Sequence, residues 1–530
     1  MADIDSSRTM PGATTERHPI IETRLRLGRA EELRRARKLD KAQRICEDLL
    51  KEHPDYVGAL HTLGLILADK REYPRAMSCL AQAVMRNPKN WTSLTALSGV
   101  YLRLGAPVMA ARTLEQALQR NPDDAGILVT LGEIYRDERE YESGADTFRR
   151  AAQIEPSFVA AHIGLGLCLT HLGQLAEAAE AFQRVILGDG SSQADGSENL
   201  PQQALYALCQ LPPAFVSVDA LSLLERAAPS RKQTKEEFES SLAFARAAAL
   251  DKAGRHYEAW ESLMAANRLP ARQAESAYRK DLTGRQKLLS HAEKSPRLVE
   301  RRHADYESVP ISLFLLGPSR SGKTTMERLI GMLPGVKRGY ENPILENSVR
   351  RTFQTAGLLT RSQAIELPPE LDELYRGFYL EELGERAGVA AVFTNTHPGR
   401  IAEAYRVAGA LPKTRFIFVK RNLDDITLRI FMKKYREGNT YAYSLETIRE
   451  YVSWYYAMID HLAELLPGIS LVIRYEDMIA DPRAVLNQAA ELCGLAAGDM
   501  EIRALGDDRG CAEPYRDFLA AAASAGASAH

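Results

Sequence analysis

Residues 317–325 read Gly-Pro-Ser-Arg-Ser-Gly-Lys-Thr-Thr, gathering glycines, hydroxyls and two cations into one short stretch. Such a stretch suits an anion: Gly322 lets the backbone approach it, Arg320 and Lys323 neutralise its charge, and Thr324 and Thr325 add hydroxyl donors. Gly317-x-x-x-x-Gly322-Lys323-Thr324 satisfies the Walker A spacing. That pattern carries chemistry only between a strand and a helix, and both are legible. ISLFLL (311–316) is a continuous apolar run of the kind buried on both faces of a parallel sheet, and a helical stretch, MERLIGML, follows the loop. Loop amides and the positive end of the helix then converge on one point.

Two chemistries compete for the loop. A nucleotide triphosphatase or kinase needs a second strand ending in Asp or Glu to hold Mg²⁺. AAVFTN (390–395) ends in Thr and Asn, RFIFVK (415–420) runs into Arg421, and LVIRYED (471–477) reaches Glu476 and Asp477 only after Arg474 and Tyr475. An arginine at a strand end suits a second phosphate better than a metal.

At these residues the chain resembles a sulfotransferase, and as a whole it is similar to bacterial proteins joining tetratricopeptide repeats to a sulfotransferase domain. The resemblance is carried by PSRSGKTT, by RFIFVKRNLDD, by YAYSLETIREYVSWYYAMIDHLAELLPG and by LVIRYEDMIADPRAVLNQAAELCGL. It extends to tyrosylprotein sulfotransferases. It implies a donor, 3′-phosphoadenosine 5′-phosphosulfate (PAPS), bound without a metal. Ser319, Arg320, Ser321, Gly322, Lys323, Thr324 and Thr325 would hold the 5′-phosphosulfate; Arg421 falls where the family binds the 3′-phosphate; Lys433 matches a second basic position and Tyr475 a tyrosine near the nucleotide.

Sulfuryl transfer is an in-line displacement that needs a base for the acceptor hydroxyl and a partner for charge on the leaving phosphate. Two residues are candidate bases. Glu341, in GVKRGYENP, lies where relatives carry a Gly-Glu glutamate, with Tyr340 in the glycine's place; His397, in NTHPGR, has a Thr-His-Pro context similar to that of the cytosolic enzymes. Glu341 is favoured. Relatives usually carry a lysine where this chain has Thr396, a loss typically worth on the order of 10²–10³ in rate; Lys323, where the family usually has Thr, can restore charge from the other side. Arg429 stands where the family usually has Ser, and either binds phosphate through two parallel N–H···O bonds or fills the site. GDDRGCAEPYRDFL (506–519) replaces a longer segment that usually closes over the donor.

The elements in front of this domain repeat. Pro54, Pro88, Pro122 and Pro156 stand 34 residues apart. Counted from each proline, Gly64, Ser98, Gly132 and Gly166 form one small column, Ala76, Ala110, Gly144 and Ala178 a second, and Leu80, Leu114, Phe148 and Phe182 a large apolar one. This resembles the tetratricopeptide repeat, in which paired helices cross closely at small residues while the large one fills the gap to the next unit. Ala42 extends the pattern back to a leading repeat, giving five. A further unit at 240–269 turns at Gly254.

The expected fold is a multidomain chain: an all-α tetratricopeptide-repeat solenoid followed by a three-layer α/β, P-loop-like sulfotransferase domain with a parallel sheet. The expected boundaries are a disordered N-terminus at 1–21, repeats at 22–187, a linker at 188–200, a further helical segment at 201–300, the sulfotransferase domain at 309–516 and a disordered tail at 517–530.

Composition excludes other classes. The chain has 530 residues, 45% hydrophobic and 26% charged, so it folds, and at roughly 150 residues per domain it is multidomain. With 68 Lys and Arg against 70 Asp and Glu, no global field gathers nucleic acid or anionic lipid. No apolar run is long enough to span a bilayer, the first residues lack a signal-peptide core, and six scattered cysteines form no close pair. The expectation is a cytoplasmic PAPS-dependent sulfotransferase acting on a hydroxyl of a protein, peptide or glycan, its repeat groove holding the acceptor or a partner protein. The alternatives are a Mg²⁺-dependent kinase or nucleotidase, and a catalytically dead sulfotransferase fold serving as a scaffold.

Overall fold

Five helix pairs follow one another from residue 19 to residue 187: Pro19–Arg35 with Leu39–Glu52, Val57–Asp69 with Tyr73–Arg86, Trp91–Arg103 with Pro107–Leu118, Ala125–Asp137 with Tyr141–Ile154, and Val159–Leu172 with Leu175–Leu187. The computed structural model describes residues 19–188, 200–227, 229, 234–298, 306–358, 363–435, 438–498, 500–503 and 505–527. The repeat columns are its packing columns. Leu80, Leu114 and Phe148 are fully buried, as are Ala76 and Ala110. A Cβ on Gly64 would lie 2.5 Å from Leu80, and one on Gly132 would lie 2.9 Å from Phe148, so the helices of a pair meet where the side chain is missing.

A further column shares the period. Arg37, Arg71, Gly105, Arg139 and Gly173 all have positive φ, between 57° and 82°, each where the first helix of a pair ends. The residue after each turns its N–H back to the last helical turn, as in Glu72 to Leu67 at 2.9 Å and Glu140 to Tyr135 at 2.8 Å. This is the left-handed C-terminal cap that glycine serves best, and three of the five positions hold arginine.

The chain divides into two compact units, Met1–Cys168 and Leu169–His530. In the second, Leu200–Gln210, Ala220–Glu225, Lys235–Lys252 and His256–Glu293 precede a sheet of five parallel strands. These are β1 (Ile311–Leu316), β2 (Val336–Lys337), β3 (Val392–Asn395), β4 (Thr414–Lys420) and β5 (Ser470–Arg474), in the order β2-β3-β1-β4-β5. Side chains alternate across the sheet. Phe314, Leu316, Phe416 and Phe418 pack one face, with Tyr455 and Ile459; Leu313, Leu315, Ile417 and Val419 pack the other, with Met326, Leu329 and Leu486. Helices thus cover both faces, giving three layers.

Three boundaries differ from the sequence reading. Helix begins at Pro19, inside the segment read as a disordered terminus. The tail read as disordered from 517 is helical through Ala527, because Phe518 and Leu519 still face apolar neighbours, including Ile426, Phe431 and Trp260. The segment at 201–300 is no separate layer: Ala247, Leu250, Leu263 and Tyr278 share one core with Ile430, Ile448 and Tyr515. The linker read at 188–200 lies, apart from its two ends, outside the described residues.

Candidate functional site

The carboxyl end of β1 is where the strand order reverses, its neighbours β3 and β4 lying on opposite sides. In parallel α/β sheets ligands enter at that point. Register brings Phe314 opposite Asn395 and Leu316 opposite Phe418, so the 317–325 loop, Thr396, His397 and Arg421 all leave the same edge. Tyr475 follows β5 there.

The loop bends through two left-handed residues, Arg320 (φ 66°) and Gly322 (φ 102°), and delivers Lys323 as the first residue of the helix Lys323–Ile330. Any Cβ on Gly322 would lie 2.5 Å from the Tyr475 ring. Ser319 is buried and its Oγ accepts from the Tyr435 hydroxyl at 2.8 Å. Ser321 is fully buried, and its Oγ has no hydrogen-bond partner. A buried hydroxyl beside the unsatisfied amides of a helix start is a donor set waiting for an anion. Thr324 is exposed and Thr325 half-buried at the same helix start.

Lys323 is buried, with Nζ donating to the Gly317 and Pro318 carbonyls, each at 2.8 Å. Burial pulls its ammonium down to about 7; the Glu341 charge opposes this, and the Lys433 and Arg320 charges add to it. Arg320, Lys323, Lys433 and Glu341 are therefore electrostatic neighbours. Lys433 is exposed, its Nζ 4.9 Å from the centre of the Tyr435 ring, whose hydroxyl donates to Ser319 of the loop.

Glu341 is held at its position by the residues before it. Glu327, on the loop helix and fully buried, accepts from Tyr340 N–H at 2.9 Å and from the Thr394 hydroxyl at 2.5 Å. Thr394 Oγ1 in turn accepts from Gly339 N–H at 2.9 Å, and Thr396 N–H donates to the Tyr340 carbonyl at 2.8 Å. Burial raises the Glu327 carboxyl, against the Thr394 bond and the nearby Arg338. Tyr340 has φ 54°, a conformation that explains a glycine preference there. Glu341 itself is exposed.

His397 caps a short helical turn, Pro398–Glu403: its Nδ1 accepts from Gly399 N–H at 3.1 Å, and its Nε2 lies 4.0 Å from Glu346. Nδ1 as acceptor leaves the proton of the neutral ring on Nε2.

The second basic group is already paired. Arg421 is buried, stacks 4.5 Å over the Tyr475 ring, and donates to the Arg320 carbonyl at 3.2 Å and to Asp508 Oδ2 at 3.0 Å. Arg429 grips the same carboxylate, Nη2 to Oδ1 at 2.5 Å and Nε to Oδ2 at 3.1 Å, with Asp251 at 3.5 Å from Nη1. Burial raises the Asp508 carboxyl, but the Arg429 bond and both guanidinium charges outweigh it and hold it below the usual carboxylate value.

The structure thus gathers Ser319, Arg320, Ser321, Gly322, Lys323, Thr324, Thr325, Lys433 and Glu341 at the loop, with Tyr475 against Gly322, Arg421 on the Arg320 carbonyl and Arg429 beyond it on Asp508. Sequence reasoning missed Asp508, Asp251, Glu327 and Tyr435. Asp508 lay in plain view in GDDRG, but nothing in its spacing ties it to Arg421. Among the described residues no cluster of three or more His, Cys, Asp or Glu is placed to hold a metal, and no helix is long and apolar enough to cross a membrane.

Comparison with known proteins recognises both the repeats and the α/β domain. Residues 310–499 match the sulfotransferase family, and four overlapping stretches between 27 and 195 match the tetratricopeptide repeat. An uncharacterized protein of Aquifex aeolicus (strain VF5) is 22% identical over 348 residues, 63% of this chain and 44% of the relative, so the chain spans less than half of that protein. Among solved structures, MamA of Desulfovibrio magneticus RS-1 is similar at 21% identity, over 33% of this chain and 98% of that one, with a TM-score of 0.30. YrrB, described as a TPR protein with an unusual peptide-binding site, is similar at 18% identity over 34% of this chain and 89% of its own, also at 0.30. The chain is a tetratricopeptide-repeat protein with a sulfotransferase-family domain.

Proposed function

We propose that the α/β domain transfers a sulfuryl group from a nucleoside 5′-phosphosulfate to a hydroxyl acceptor. The observation that carries this reading is the buried, unpartnered Ser321 hydroxyl within a loop bearing Arg320 and Lys323 and opening a helix. The 5′-phosphosulfate fits this donor set. Ser319, Ser321, Thr324 and Thr325 would hold its oxygens, Lys323 and Arg320 would balance its charge, and Lys433 would approach from the Tyr435 side.

In the proposed reaction the acceptor oxygen attacks sulfur while the bond from sulfur to the phosphate oxygen breaks. The bonding pair stays on the phosphate, where Lys323 stabilises it, and the acceptor proton passes to Glu341. The products are a sulfate ester and a nucleoside 5′-phosphate. Glu341 is the proposed base because its charge reaches Lys323, whereas the basic nitrogen of His397 is spent on Gly399. The resemblance implies PAPS as the donor; its 5′ half suits the loop, and its 3′-phosphate meets guanidiniums already occupied by Asp508. The repeat array is proposed to hold a polypeptide, as acceptor or partner, in the cytoplasm.

Titration of the full chain with adenosine 5′-phosphosulfate, PAPS and ATP·Mg²⁺, followed by transfer of labelled sulfate to a panel of tyrosyl peptides and glycans, tests the reading. Binding of a phosphosulfate and formation of a labelled ester are expected. Binding of ATP·Mg²⁺ alone overturns it in favour of a phosphotransferase. Donor binding without transfer to any acceptor reduces the domain to a nucleotide-binding scaffold.

A further inference from the structure

Asp508 occupies the position between Arg421 and Arg429 that a 3′-phosphate would need. Its carboxylate takes three N–H bonds, two at Oδ2 and one at Oδ1. A carboxylate offers about four acceptor sites, so Oδ1 keeps one. The side chain is 33% exposed, so that site is reachable.

Both guanidiniums beside it are already matched by carboxylates. Arg421 and Arg429 face Asp508 and Asp251. The neighbouring Lys252 spends its ammonium on the Cys209 and Leu211 carbonyls, and burial pulls it down to about 8. A dianionic phosphate brought here meets guanidiniums that are already paired and lies against a carboxylate. Two like charges ~4 Å apart cost about 4 kcal/mol at an effective dielectric near 20.

Nor is Asp508 a loose latch that such a phosphate would swing aside. Its carbonyl accepts from Arg421 at 2.5 Å and its N–H donates to the Tyr475 hydroxyl at 3.1 Å. Gly510 and Ala512 N–H both donate to Asp425 at 2.9 Å, and the fully buried Tyr515 donates its hydroxyl to Asp251 at 2.8 Å. The segment is tied to Tyr475, Asp425 and Asp251 at residues 508, 510, 512 and 515, which fixes the backbone that presents the carboxylate to both guanidiniums.

We infer that this site takes a nucleoside 5′-phosphosulfate whose 3′ position is a free hydroxyl, which donates to Asp508, and that Asp508 discriminates against the 3′-phosphorylated donor. A ribose hydroxyl supplies the proton the remaining acceptor site wants; a phosphate supplies only more negative charge. The inference rests on the sulfotransferase reading of the loop and specifies its substrate class.

The test is calorimetric titration of the full chain with adenosine 5′-phosphate and with adenosine 3′,5′-bisphosphate, repeated on Asp508→Asn and Asp508→Ala. The 5′-monophosphate is expected to bind at least about tenfold more tightly, a difference of about 1.4 kcal/mol. Asp508→Ala is expected to invert that order by freeing both guanidiniums. Should that variant fail to fold, the wild-type ratio and Asp508→Asn, expected to narrow it, still decide. Tighter binding of the bisphosphate by the wild type overturns the inference while leaving the loop assignment standing, and so does an unchanged ratio in folded Asp508→Asn. Binding of neither nucleotide overturns both.

Discussion

Lys323 is the residue whose protonation the site controls most. A buried ammonium near 7 is only partly charged at neutral pH, and an anion laid against it favours the charged form. Binding therefore takes up a proton between pH 7 and the higher pKa of the complex, and affinity falls as pH rises through that window, by up to about tenfold per unit. Calorimetry with adenosine 5′-phosphosulfate in two buffers of different ionisation enthalpy at pH 8 should show this uptake, and Lys323→Met should abolish it. The two candidate bases separate in the same preparation. Glu341→Gln is expected to lower single-turnover transfer by about 10²–10⁴ with donor affinity retained, whereas His397→Ala should cost about 1 kcal/mol of stability for the lost cap and little rate. The loop was legible because its chemistry lies within nine consecutive residues. Asp508 was not, because its partners are 79 and 87 residues away and only the fold joins them.

Elements were legible wherever a period or an apolar run announced them. The 34-residue columns located the repeat helices, and the apolar runs located β1, β3, β4 and β5. The two-residue strand β2 has too little sequence to signal itself, and it is fixed by pairing Val336 with Val392. The left-handed column was hidden because arginine holds three of its five places. A non-glycine residue there carries strain, so Arg139→Gly should raise the stability of the array by about 0.5–1 kcal/mol, measured by denaturant midpoint. The opposite sign belongs to Glu327, which fastens the helix after the loop to the Glu341 segment. Glu327→Ala leaves the buried Tyr340 amide and Thr394 hydroxyl without their acceptor and should cost about 3 kcal/mol. Glu327→Gln, which keeps an acceptor oxygen, should cost far less.

At the scale of the molecule, sequence placed the domain boundary near residue 300, where repeat-like helices give way to strands. The second compact unit begins instead at Leu169. Apolar residues on a helix do not say which neighbour they will meet. Trp260 stacks on Phe518 at 5.5 Å between centroids and lies 5.9 Å from Phe431; Asn267 donates to the Phe431 carbonyl at 3.0 Å; and Asp251 receives Tyr515 and faces Arg429. A fragment starting at Glu307 would bare Ile426, Phe431, Tyr515 and Leu519, all under 4% exposed in the whole chain, and strip Arg429 of one carboxylate. Exposing several large apolar side chains at about 1.5–3 kcal/mol each exceeds the margin by which most domains are stable. That fragment should therefore lack a cooperative unfolding transition, while one starting at Leu169 should unfold cooperatively and still bind the 5′-nucleotide. A folded, nucleotide-binding 307–530 fragment would mean that the helices before it are only attached to the sulfotransferase-family domain, not built into its site.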